Sequence, residues 1–96
     1  MLSTKSRVNI VSVKEVEDNV YDVEIEVVVG EKRGCIKISR LTRRPSQASA
    51  KIHSNYLFIE LNDDKGEHIA TCCIHYEHID RGCLSCPSLL LPPKSP

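Results

Sequence analysis

The stretch Tyr21-Asp22-Val23-Glu24-Ile25-Glu26-Val27-Val28-Val29 decides how this chain is read. Tyr21, Val23, Ile25, Val27 and Val29 share one parity, and Asp22, Glu24 and Glu26 the other. A period of two is the signature of a strand with one buried and one wet face. β-branched residues dominate the apolar parity, as a pleated, half-buried surface favours.

Neighbours can be built outward from this strand by pairing rules. Upstream, 8–16 reads as a strand ending at Glu17-Asp18-Asn19. A three-residue loop with Asn19 left-handed sets Val13 opposite Val23, Val11 opposite Ile25, and Lys14 opposite Asp22. A two-residue loop sets Glu15 against Asp22, a like-charge clash, so the longer loop is favoured. Downstream, a turn at Gly30-Glu31-Lys32-Arg33 sets Val27 opposite Ile36, Ile25 opposite Ile38, and Glu26 opposite Lys37. Strands 8–16, 20–29 and 34–41 then form an antiparallel meander with the quoted stretch at its centre.

Pro45 interrupts the pattern in 41–49, which reads as a connection. A fourth strand occupies 50–61. Asn62-Asp63-Asp64-Lys65-Gly66 is a hairpin turn with Gly66 left-handed, leading to a fifth strand over 67–77. That turn sets Leu61 opposite Ile69, Ile59 opposite Thr71, and Leu57 opposite Cys73. The expected fold is all-β: one domain, 1–86, of five antiparallel strands in a meander curled into a half-barrel or small sandwich. A proline-rich extended arm, 87–96, follows and holds four of the five prolines. The alternative is α+β, with one short helix in 41–55 or 67–80, where Ile69, Cys72, Cys73 and Tyr76 also fit a helical period.

Composition bounds function. With 96 residues there is room for one small core, built from Val, Ile, Leu and Cys because there is no Trp and only one Phe. Thirteen Lys plus Arg balance 13 Asp plus Glu, so no strong field for nucleic acid or membrane exists. The chain has no 18-residue apolar run and no secretory apolar region near Met1, and its cysteine count of five is odd. These point to a cytoplasmic protein with reduced thiols and no membrane association.

The chemistry concentrates in Cys72-Cys73-Ile74-His75-Tyr76-Glu77-His78-Ile79-Asp80-Arg81-Gly82-Cys83-Leu84-Ser85-Cys86. Thiolates and imidazoles at this spacing are zinc-type ligands. On a strand, Cys73 and His75 share a face, which makes Cys73, His75, Cys83 and Cys86 the strand-compatible set. His75 and His78 join Cys83 and Cys86 only if the segment is helical. The competing view makes Cys72 and Cys73 packing residues and the histidines surface groups. Cys83-x-x-Cys86 also has redox-pair spacing, without the βαβ context of such catalysts.

No Gly-rich phosphate loop, nucleophile elbow or His-Glu-x-x-His occurs. The acids of the central strand read as a wet sheet face. Lys37, Arg40, Arg43 and Arg44 form a basic run without interleaved aromatics, unsuited to base stacking. The expectation is therefore a non-enzymatic, protein-binding module of regulator or inhibitor type. It would bind another protein, or a second copy, through a sheet edge, the basic run, and Leu89, Leu90 and Leu91. It would need no cofactor. A zinc-stabilised or nucleic-acid-binding domain using 72–86 is the alternative.

Overall fold

Among the described residues, alternation along the chain resolves into eight strands arranged as two sheets. The computed structural model describes residues 6–86 and 88–91. The first sheet contains β1 (Ser6–Glu17), β2 (Val20–Val29), β3 (Lys32–Leu41) and β7 (Cys83–Ser85), in the order β1-β2-β3-β7. The second contains β4 (Gln47–His53), β5 (Tyr56–Asn62), β6 (His68–His75) and β8 (Ser88–Leu90), in the order β4-β5-β6-β8. All pairings are antiparallel except β3 with β7. Both sheets feed one core. Val23, Ile25, Val27, Val29, Ile36, Ile38 and Leu41 contribute from one side, and Leu57, Ile59, Leu61, Ala70, Cys72 and Ile74 from the other. Buried Ile79, just after a 3-10 turn at Tyr76–His78, joins them.

The fold is thus mostly β, as expected, but eight strands in two sheets replace the five-stranded meander. The helical alternatives for 41–55 and 67–80 fail: β4 and β6 occupy them, and the only helical turn there is three residues long. The fourth strand is in fact a hairpin. Ser54 and Asn55 turn it, Ser54 at φ 59°, a left-handed position that gave no glycine signal. The two shortest strands come from the Cys/His segment and from the arm. Pro87 and residues 92–96 of that arm lie outside the described residues.

Registers differ for local reasons. In the first hairpin, Val13 opposes Val23, Lys14 opposes Asp22, and Asn19 sits at φ 62°, as expected, but the loop is two residues, Asp18 and Asn19, rather than the expected three, with Glu17 opposite Val20. Two bulges then displace single residues. One lies between Glu15 and Glu17; the other, between Ile10 and Ser12, brings Ile10 rather than Val11 opposite Ile25. The skipped residues, Val16 and Val11, are 44% and 57% exposed, because a bulge residue loses its place in the alternation. The second hairpin turns on Gly30 and Glu31 alone, with Gly30 at φ 61°. This slides the pairing by two residues, so Glu24 rather than Glu26 opposes Lys37, and Ile25 opposes Ile36. A two-residue slip keeps every side chain on its face. The β5–β6 turn has Gly66 at φ 83° as expected, but a register shift next to Leu61 and Asn62 brings Leu61 opposite Ala70 and Leu57 opposite Ile74.

Candidate functional site

The wet parity of β2 becomes the middle of an exposed sheet face. Asp22, Glu24 and Glu26 run down its centre. Asn9, Ser12 and Lys14 of β1 flank them on one side, and Cys35, Lys37 and Ser39 of β3 on the other. Three adjoining cavities form a trough along this face. One of about 400 Å³ is lined by residues including Val11, Glu24, Glu26, Arg33, Cys35 and Cys83. The second, about 220 Å³, shares Glu24 with it and adds Ser12, Lys14 and Lys37. The third, about 510 Å³, shares Asp22 and Ser39 with the second and adds Val16, Val20, Arg40 and Thr42. From Arg33 to Arg40 the trough spans on the order of 25 Å, at roughly 3.3 Å per strand residue. Its acids stand in a row between bases. Among the described residues, the ion pairs within bonding distance are both made by Arg43, elsewhere.

Arg40 is the unusual member. Its φ is 61° inside a strand, where Asn19 and Ser54 take such values only in hairpin turns. The pairing shifts here: Val23 opposes Ile38, but Tyr21 opposes Leu41. The Arg40 N–H donates to the Asp22 carboxylate at 3.2 Å. A left-handed non-glycine residue costs roughly 1–2 kcal/mol, and a bulge that bears this cost re-aims a side chain. Arg40 lines the third cavity.

The other residues singled out from the sequence scatter. Lys37 lines the trough beside Arg40. Arg44 does not; its guanidinium lies 6.0 Å over the Tyr21 ring. Arg43 holds the β5–β6 turn, pairing with Asp63 and, at 2.9 Å, with Glu67. Leu89 packs against the core, while Leu90 and Leu91 are 53% and 67% exposed along β8 and just beyond it. The basic run is therefore two trough residues, a clamp and a ring cover.

Asp63 makes that clamp sensitive to acid. Its Oδ1 accepts from the N–H groups of Lys65 and Glu67, both at 2.9 Å, and its other oxygen meets Arg43. Burial opposes its charge, yet the Glu67 and Lys65 N–H groups and the Arg43 and Lys65 charges outweigh this, holding its carboxyl below its ordinary value. A depressed folded-state value stabilises the fold above the unfolded value, about pH 3.9, and that stabilisation is lost as pH falls through the folded one. Wild-type stability should therefore decline from about pH 4 downward, and Asp63→Asn should be less stable at neutral pH with a flatter acid limb. Urea midpoints between pH 2 and 7 check this; parallel curves would refute it.

The zinc set does not assemble. Cys83 is bonded to Cys35 and Cys86 to Cys72, with Cα separations of 4.4 and 6.0 Å. A disulfide sulfur carries no thiolate to offer a metal. Cys73 remains a free, half-buried thiol, and among the described residues no group of three or more metal-type ligands converges. His75 and His78 do approach, with ring centres 5.6 Å apart, and Tyr56 stacks edge-on to His75. Cys83 and Cys86 are not partners of each other, so the redox-pair reading is also corrected. The reduced-thiol expectation falls with it: an odd cysteine count left one thiol over without preventing two bridges. Cys35 was the residue sequence reasoning missed. Its one signal was its position on the wet parity of β3, where a cysteine has no packing task.

Among the described residues no helix is long and apolar enough to cross a membrane. Comparison of the chain with known protein families, curated proteins and solved structures returned no match.

Proposed function

We propose that this protein is a non-enzymatic binding module of regulator or inhibitor type, whose trough receives a segment of another protein. The observation that carries this reading is Arg40, held at positive φ within a strand and lining a charged groove. Backbone strain persists where something other than stability maintains it. The trough is long and shallow, with a row of acids set between bases, which suits an extended polypeptide of mixed charge. The central acids disfavour a phosphate backbone. The exposed Leu90 and Leu91 along β8, the last strand of its sheet among the described residues, offer a second contact, for a partner strand or a second copy. Two disulfides fit an oxidising compartment better than a reducing one.

Arg40→Gly separates binding from folding. Glycine adopts positive φ without the steric cost, so the variant should be more stable by about 1 kcal/mol. Its affinity for a partner captured by the wild type should fall about tenfold, with Lys37→Gln adding to the loss and Leu90→Ser/Leu91→Ser reporting on the edge. Denaturant midpoints and quantitative binding measure both. Undiminished binding by the Arg40→Gly/Lys37→Gln protein would sink the trough assignment.

A further inference from the structure

The two disulfides differ in their exposure. Cys72 is completely buried between the sheets, and its bridge to Cys86 ties β6 to the chain entering β8. Cys35 and Cys83 instead face each other across the β3–β7 pairing, on the outer face. Cys35 is half-buried and Cys83 exposed, and both line the cavity of about 400 Å³. Exposed disulfides are the exchangeable ones. The strand that this one secures is three residues long and lies at the sheet edge.

We propose that Cys83 is a thiol-exchange site that takes cationic thiols in preference to anionic ones. The incoming thiolate sulfur attacks Cys83 Sγ. The bond between Cys83 Sγ and Cys35 Sγ breaks, and Cys35 leaves as a thiolate that takes a proton from water. A mixed disulfide on Cys83 remains. Attack by the Cys35 thiolate expels the added thiol and restores the bridge, so no net oxidant or reductant is consumed. The size of the cavity suits a small thiol or a cysteine side chain of a peptide. Its charged lining, Glu24, Glu26 and Arg33, is net acidic, and Glu26 stands directly opposite Cys35. That carboxylate repels an anionic thiol and opposes build-up of the Cys35 thiolate, whereas an ammonium group on the incoming thiol offsets both effects.

The test treats the intact, oxidised protein with cysteamine or with glutathione at matched thiolate concentrations. Exchange is quenched by alkylation, and each cysteine is read by peptide mass spectrometry. Mixed disulfide should form on Cys83 while Cys72–Cys86 stays closed. The cysteamine-to-glutathione rate ratio should be roughly fivefold higher for wild type than for Glu26→Gln, a difference that shrinks in 0.5 M salt. Comparing ratios between two proteins removes the intrinsic reactivity of each thiol. Equal ratios in the two proteins, or opening of Cys72–Cys86 as early as Cys35–Cys83, overturns the proposal. A failure of partner binding at Arg40 would leave this result unaffected.

Discussion

Gly34→Ala is expected to destabilise the protein by at least about 3 kcal/mol, the upper part of the overpacking range. Gly34 lies on the core face of β3, opposite Val27. A Cβ there would overlap the backbone carbonyl of Ile79. Side chains can rotate away from an added methyl group, but a carbonyl oxygen moves only with its chain. The segment after the 3-10 turn would have to lift, taking buried Ile79 out of the core and pulling on Cys83 four residues later. Ile79→Ala should not rescue the variant, because the obstructing atom is main chain. Thermal or urea unfolding of the two single variants and the double variant checks this. A Gly34→Ala protein within about 0.5 kcal/mol of wild type would show that Ile79 does not pack there.

Complete reduction should have a still larger effect. In the chain-entropy view, a bridge across 48 positions contributes about 4 kcal/mol and one across 14 about 3 kcal/mol. The two loops overlap, so the sum is an upper bound. Set against the 5–15 kcal/mol that holds a typical domain together, its loss should leave the chain largely unfolded at 37 °C. Cys35→Ala/Cys83→Ala loses the larger loop-closure contribution, whereas Cys72→Ala/Cys86→Ala loses the smaller one and in addition empties a packed position in the core. Far-ultraviolet circular dichroism melts with and without dithiothreitol give the answer. A melting point that reductant leaves unchanged would mean that the sheets alone hold the fold.

Both predictions depend on contacts between distant parts of the chain, and this is where the sequence was silent. The first hairpin was legible because charge and apolarity agreed: Val13 meets Val23 and Lys14 meets Asp22 only in one register, and Asn19 supplies the left-handed turn residue. The second was legible in its faces and off by two positions. Two residues of slip leave the inside-outside pattern intact, so hydrophobicity has no vote. Bulges at Val11, Val16 and Arg40 were invisible, since each is decided by the twist and pairing of a whole sheet. The residues of the zinc set are drawn apart for a related reason. Four ligand-type residues lay within 14 positions, but cysteine bonds to whatever thiol the topology brings to it, and for Cys83 that was Cys35.

By itself the sequence determined the alternation, and hence a β fold with Tyr21–Val29 on an inner strand, the acids of that strand on its wet face, and the left-handed turns at Asn19 and Gly66. These follow from residues within a few positions of one another, where steric and charge preferences act directly. Only the tertiary structure decided that the strands divide into two sheets around one core. It also paired the cysteines across 48 and 14 positions, spent Arg43 on a turn, and set Arg40 into a groove. Those outcomes turn on which segments meet in space, and a loop closure costs nearly the same for many alternative partners. The choice among them is made by the packing of the whole chain.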